Sequence, residues 1–202
     1  MARPPAIETE TGLWLALNIR SLHLTDDQLL RFFRDNDDEY RFEVSAQQEL
    51  IIMAPSTPKS DHRNAEVTRQ LGNWAKQDGA GVFFGSNAMF TLPNGAKRSP
   101  DGAWISKARW NRLSEEEKDS LTRIVPDFVI ELRSKSDRLA KIKEKMDEYM
   151  DSGVRLGWLL DPIRNCAQVY RPGQPPEQVD NPTVLDGERV LPGFTFDFRE
   201  IL

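Results

Sequence analysis

A carboxylate inside an apolar run constrains this chain more than any other feature: Asp127-Phe128-Val129-Ile130-Glu131-Leu132 reads as a buried strand that contains Glu131. Taking an ionised acid out of water is costly unless a proton, a metal or another cation compensates it. The run is followed by an amphipathic helix over 137–152, with Leu139, Ile142, Met146, Tyr149 and Met150 on one face, and then by an apolar strand at 156–160. Strand, helix and strand in that order predict a right-handed crossover unit in a mixed sheet.

The rest of the chain supplies the partners of that unit. Thr25 is placed to cap a short helix to about Arg34, and segments 41–45 and 49–53 alternate as a hairpin. Pro55 to Pro58 breaks the second strand, and Ser60 or Asp61 is the expected cap of a helix to about Lys76. Strands are predicted at 82–84, 88–92 and 98–105, with a Pro93-Asn94-Gly95 turn between the last two. A polar, helical excursion is expected over 110–122, a strand at 167–170, and a last one including Arg189 to Leu191. A length of 202 residues suits one domain, 1–202, with 1–24 as a loosely attached N-terminal segment.

Composition narrows the class of protein. Apolar residues at 39% and charged residues at 29% describe an ordinary globular chain. The start lacks the pattern of a signal peptide and no apolar run is long enough to span a bilayer, so a cytoplasmic, membrane-free protein is expected. Cys166 is the only cysteine, which excludes an internal disulfide and any multi-thiolate zinc site. The net charge of −5 argues against a general nucleic-acid coat, yet basic residues gather at 97–112 and 133–145, on either side of candidate acids.

A second strand-borne acid, Asp101, follows a proline in Arg98-Ser99-Pro100-Asp101. Two carboxylates about 4 Å apart repel by roughly 4 kcal/mol at an effective dielectric near 20, or about three pKa units. Such a pair stays ionised at neutral pH only with a cation between its members, and hard oxygen donors select ions such as Mg²⁺. Arg133 leaves the strand on the same face as Glu131, and Lys145 lies at the edge of the packed face of the following helix. The residues alone leave two readings open: a metal site acting on phosphate, or a structural ion pair of Glu131 with Arg133 or Arg138.

Three phrases carry a resemblance: FTLPNGAKRSPDGAWISKARW, PDFVIELRSKSDRLAKIKEKMDEYMDSGVRLGWLLDP and VLPGF. They closely resemble the Uma-two family of restriction-endonuclease-like proteins, and the likeness runs from the hairpin at Arg41 to the C-terminus. The resemblance implies an α/β fold of the PD-(D/E)XK nuclease kind, a restriction-endonuclease-like central mixed β-sheet flanked by helices. It further implies a Mg²⁺ or Mn²⁺ site with Asp101 and Glu131 as metal-binding acids and the Leu132 carbonyl as a third ligand. By the same likeness Glu49 assists through water or orients a ligand. The family's signature lysine falls at position 133, where this chain has Arg133, and Lys145 is the expected substitute from the next helix.

Two further departures are visible. Asn64 stands where many members have a histidine, with His62 nearby, and Lys135 replaces a common proline. The expected function is a metal-dependent endonuclease hydrolysing DNA phosphodiester bonds, with Asp101, Glu131, Lys145, Arg133 and Glu49 at the site and DNA as partner. A homodimer would suit the two strands of a duplex. The rival reading is a non-catalytic nucleic-acid-binding or regulatory protein that keeps the nuclease fold; a purely structural oligomer is a third.

Overall fold

The computed structural model describes residues 14–36, 40–53 and 55–202. Along the chain come β1 (Trp14–Asn18), α1 (Asp26–Arg34), β2 (Arg41–Val44), β3 (Glu49–Met53), α2 (Pro58–Asp78), β4 (Gly81–Gly85), β5 (Phe90–Thr91) and β6 (Lys97–Arg98). Then follow β7 (Gly102–Ser106), α3 (Lys107–Trp110), α4 (Glu115–Lys118), β8 (Phe128–Leu132) and α5 (Leu139–Asp151). The chain closes with β9 (Leu156–Asp161), β10 (Cys166–Tyr170), β11 (Glu177–Asp180), β12 (Val184–Asp186) and β13 (Thr195–Asp197).

The apolar run around Glu131 becomes β8, buried at all five positions. It lies inside a six-stranded mixed sheet ordered β11-β10-β9-β8-β7-β4, in which only β8 and β9 run parallel. That parallel pair is joined by α5, because two parallel neighbours need a crossover connection. Alternation along β8 sends Phe128, Ile130 and Leu132 into a core with Val67, Leu71 and Ala75 of α2. Val129 faces the other way, against Ile142, Met146 and Tyr149 of α5. Glu131 shares Val129's face, so the acid is directed at α5.

A second sheet, β1-β3-β2-β6-β5, carries the hairpin of β2 and β3. Phe42 and Val44 pack with Leu29 and Phe33 of α1 on one side of it, which leaves Arg41 and Glu43 on the opposite side. β12 and β13 form a separate two-stranded ribbon, and Phe194, Phe196 and Phe198 beside it complete the α2 core. No described helix is long and apolar enough to cross a membrane.

Several boundaries depart from the sequence reading for identifiable reasons. The strand expected over 98–105 is two, β6 and β7, in different sheets, because Pro100 offers no N–H to a ladder. α2 starts three residues earlier than expected: Thr57 accepts the Ser60 N–H and Pro58 takes the first helical turn, where its missing donor costs nothing. Arg189 and Val190 lie in a turn between β12 and β13, and Leu191 closes it by donating to Gly187 O, so the last strand is at 195–197 rather than 189–191. Within the segment expected to be loosely attached, residues 14–18 form β1, paired along its length with β3; residues 1–13 lie outside the described ones.

The edge strand β4 is held close to its neighbour by a glycine. A Cβ at Gly81 would fall 2.2 Å from Cε2 of the Trp104 indole, which itself packs on Trp74. Gly81→Ala is therefore expected to cost about 1–3 kcal/mol by overpacking. Urea unfolding followed by tryptophan fluorescence checks this, and an unchanged midpoint would show that Trp104 has room to move.

Candidate metal and phosphate site

Just before β7 begins, Asp101 extends its pairing. Gly102 is opposite Ile130 in the ladder, and one residue further out the Asp101 carboxylate accepts the Leu132 N–H at 2.8 Å. The acid is thus fixed beside the end of β8 by the backbone it serves. Glu131, on the same strand end, is reached from α5: Lys145 Nζ lies 2.8 Å from its Oε1, and Tyr149 OH donates to the same oxygen at 3.0 Å. Lys145 and Tyr149 are four residues apart and so share one face of the helix.

The ammonium has a second partner that the sequence reading did not single out. Lys145 Nζ is 2.7 Å from Oε1 of Glu43, which is buried on the inward face of β2. Glu43 also accepts the Ser99 N–H at 3.0 Å and the Arg98 Nη1 at 3.0 Å. Arg98 continues to Glu148 at 2.6 Å, and Asn94 donates to that same carboxylate. The hairpin, the Ser99–Asp101 break, β8 and α5 meet in this one network.

Its charges do not balance. Four acids, Glu43, Asp101, Glu131 and Glu148, stand against Lys145 and Arg98, so with all four ionised the cluster is short of two positive charges, and a proton on Glu131 halves that deficit. The protonation trends follow. Burial works to raise Glu43, yet Lys145 and Arg98 outweigh it and hold the carboxyl below its usual range. Glu131 goes the other way: burial, reinforced by Asp101 and Glu43, overcomes the pull of Lys145 and pushes it up to about 8. Burial likewise raises Asp101. Lys145 is raised although burial opposes it, because Glu131 and Glu43 favour the ammonium. Tyr149 is driven well up by burial and then by the two glutamates, so its hydroxyl stays protonated and donates.

Two oxygens in this cluster remain free. Among the described residues, Asp101 Oδ1 and Glu131 Oε2 make no hydrogen bond, and neither is sealed from solvent. No three His, Cys, Asp or Glu side chains among the described residues form a metal cage by themselves. A Mg²⁺-like ion does not require one, since one or two carboxylates, waters and substrate oxygens are its usual shell. Hard, unengaged oxygens in a cluster with more acids than cations fit a divalent cation, which would displace the proton that burial keeps on Glu131.

The other expected site residues lie elsewhere. Arg133 turns to Asp161 at 2.6 Å, and Asp161 also caps the turn to β10 through the Ile163 and Arg164 N–H groups. Glu49 opens β3 and accepts from Ser45 Oγ at 3.2 Å; among the described residues no hydrogen bond or ion pair joins it to Lys145, Asp101 or Glu131. His62 is exposed on α2 and Asn64 half-buried beside it. Asn64 lines a cavity of about 710 Å³ with Thr68, Phe84 and Asn87, and none of the clustered acids lines that cavity. Trp104 and Trp158 are core residues. Glu43 carried one weak signal, an acid two positions from Arg41 on an alternating strand; Tyr149 carried none, being read as part of the apolar stripe.

A mixed sheet with a crossover helix, flanked by helices and carrying acids at one strand end, defines the restriction-endonuclease-like class of fold. The crystal structure of a "putative nuclease belonging to DUF820" from Anabaena variabilis ATCC 29413 has the same fold: TM-score 0.69 at 20% identity, covering 88% of this chain and 97% of that one. The chain belongs to the Uma2 family, whose model, described as "Putative restriction endonuclease", matches residues 26–199. No curated protein matches it.

Two outcomes follow from the network. Lys145→Met would strand Glu43 and Glu131 without their shared cation and is expected to lower stability by about 3 kcal/mol in chemical denaturation; a loss near zero would mean that the acids are compensated otherwise. For Glu131, the folded state keeps its proton from the ordinary carboxylate range up to about 8, so this group's contribution to stability falls as pH rises through that window. Glu131→Gln removes the titration. In metal-free protein the stability of the variant relative to the parent should therefore improve between about pH 5 and about pH 9, and parallel pH profiles would contradict the shift.

Proposed function

We propose that this chain is a metal-dependent endonuclease that hydrolyses DNA phosphodiester bonds. The observation that carries the reading is the pair of unengaged oxygens, Asp101 Oδ1 and Glu131 Oε2, in a buried cluster with more acids than cations. Asp101, Glu131 and the Leu132 carbonyl would hold Mg²⁺ or Mn²⁺. When bound, such an ion polarises a phosphoryl oxygen and lowers the pKa of an attacking water. Membership of the Uma2 family and the shared fold support the assignment.

The chain's own residues have distinct tasks in this reading. Lys145 and Tyr149 both engage Oε1 of Glu131, which orients the carboxylate and leaves Oε2 free. Lys145 stays charged because of its two acid partners, so it stabilises negative charge building on the phosphate rather than accepting a proton. Glu43 holds the ammonium from the far side, and Arg98 in turn holds Glu43. A second reading, a binding protein without catalysis, is favoured by one observation: the Lys145 ammonium by itself pairs with both Glu43 and Glu131.

Asp101→Asn and Glu131→Gln separate the two readings. Each should lower cleavage of plasmid or oligonucleotide DNA in Mg²⁺ or Mn²⁺ by about 100-fold or more and weaken Mn²⁺ binding in calorimetry, with the far-UV spectrum unchanged. Salt-sensitive DNA binding without cleavage or measurable metal binding in the parent protein would decide for the non-catalytic reading.

A further inference from the structure

Arg41 opens β2 with no ion pair or side-chain hydrogen bond among the described residues, although it is half-buried. Many of the chain's cations are committed: Lys97, Arg98, Arg109, Arg123, Arg133 and Lys145 each hold a carboxylate. A half-buried guanidinium with no partner among the described residues is free to take an anion.

Its placement says which anion. Arg41 and Glu43 are two residues apart on β2 and leave the same face, the one on which Glu43 meets Lys145. The β2–β6 pairing sets Val44 opposite Lys97, and Ser99 donates to Glu43, so the antiparallel run carries Arg41 toward Pro100 and Asp101. Its charge reaches the Asp101 carboxyl, where burial, which raises it, is opposed by Leu132 N–H, Lys145 and Arg41. The loop after β8 is folded by Asp137, which accepts the Ser134 N–H at 2.6 Å and whose charge also reaches Asp101. That cap leaves Lys135 and Arg138 exposed and without ion pairs among the described residues.

Resting on the nuclease reading, we propose that Arg41 grips a DNA phosphate next to the scissile one, with Lys135 and Arg138 on the loop after β8 adding contacts to the backbone. Arg41 is then a substrate-binding residue that sets where the backbone lies relative to Asp101 and Glu131. A guanidinium suits the task because its planar donors meet two phosphate oxygens at once.

The test is the affinity for a fluorescent duplex oligonucleotide as a function of salt, measured in Ca²⁺, which takes the same kind of oxygen ligands. Arg41→Gln, which keeps the length of the stem, should weaken binding about tenfold and reduce the slope of log K against log salt by about 1. Arg41→Lys should restore the slope but only part of the affinity, while Lys76→Ala, at the far end of α2, should change neither. Unchanged affinity and slope in Arg41→Gln, with the parent binding normally, would overturn the role of Arg41 alone. A parent protein with no salt-dependent binding to duplex would overturn the nuclease reading and this inference with it. Equal thermal melting of the variants and the parent shows that the comparison concerns binding and not folding.

Discussion

The Lys145 ammonium is the point at which the architecture is tied together. It comes from the crossover helix and lies within 2.8 Å of Glu131 on the central sheet and 2.7 Å of Glu43 on the hairpin sheet. Without a cation there, the two sheets would confront each other with buried like charges, and the cost would fall on their packing. Replacing such a network by apolar groups is often neutral or stabilising in other proteins.

The same geometry accounts for the division of labour between the two oxygens of Glu131. One is used up by Lys145 and Tyr149, both on α5, and the other makes no hydrogen bond among the described residues. A helix that buries its apolar stripe against Val129 and Leu159 delivers both donors at a fixed height, because side chains four apart point the same way. Packing thus sets the orientation of the acid, and α5 is at once a core element and part of the site.

Much of this was legible from residues. The crossover of β8, α5 and β9 followed from an apolar run, an amphipathic helix and a second apolar run, and the pairing of Asp101 and Glu131 from acids where none should be tolerated without a partner. Lys145 sat at the edge of the helix's apolar face, and the structure puts its amine on Glu131. Glu43 was hidden because an alternating hairpin looks like one buried face and one wet face; only the arrival of α5 and Arg98 makes the second face an interior one. Arg133 shows the opposite failure. Strand parity put it on the same face as Glu131, but the strand ends at Leu132 and parity no longer governs a residue beyond it.

One consequence of the Asp101 contact concerns inheritance. Its carboxylate stands in for a missing rung between β7 and β8 by accepting the Leu132 N–H. That rung asks only for an oxygen, not for a charge, so a lineage could trade the acid for an amide and keep its sheet intact. The architecture at this strand end therefore does not depend on the charge of Asp101.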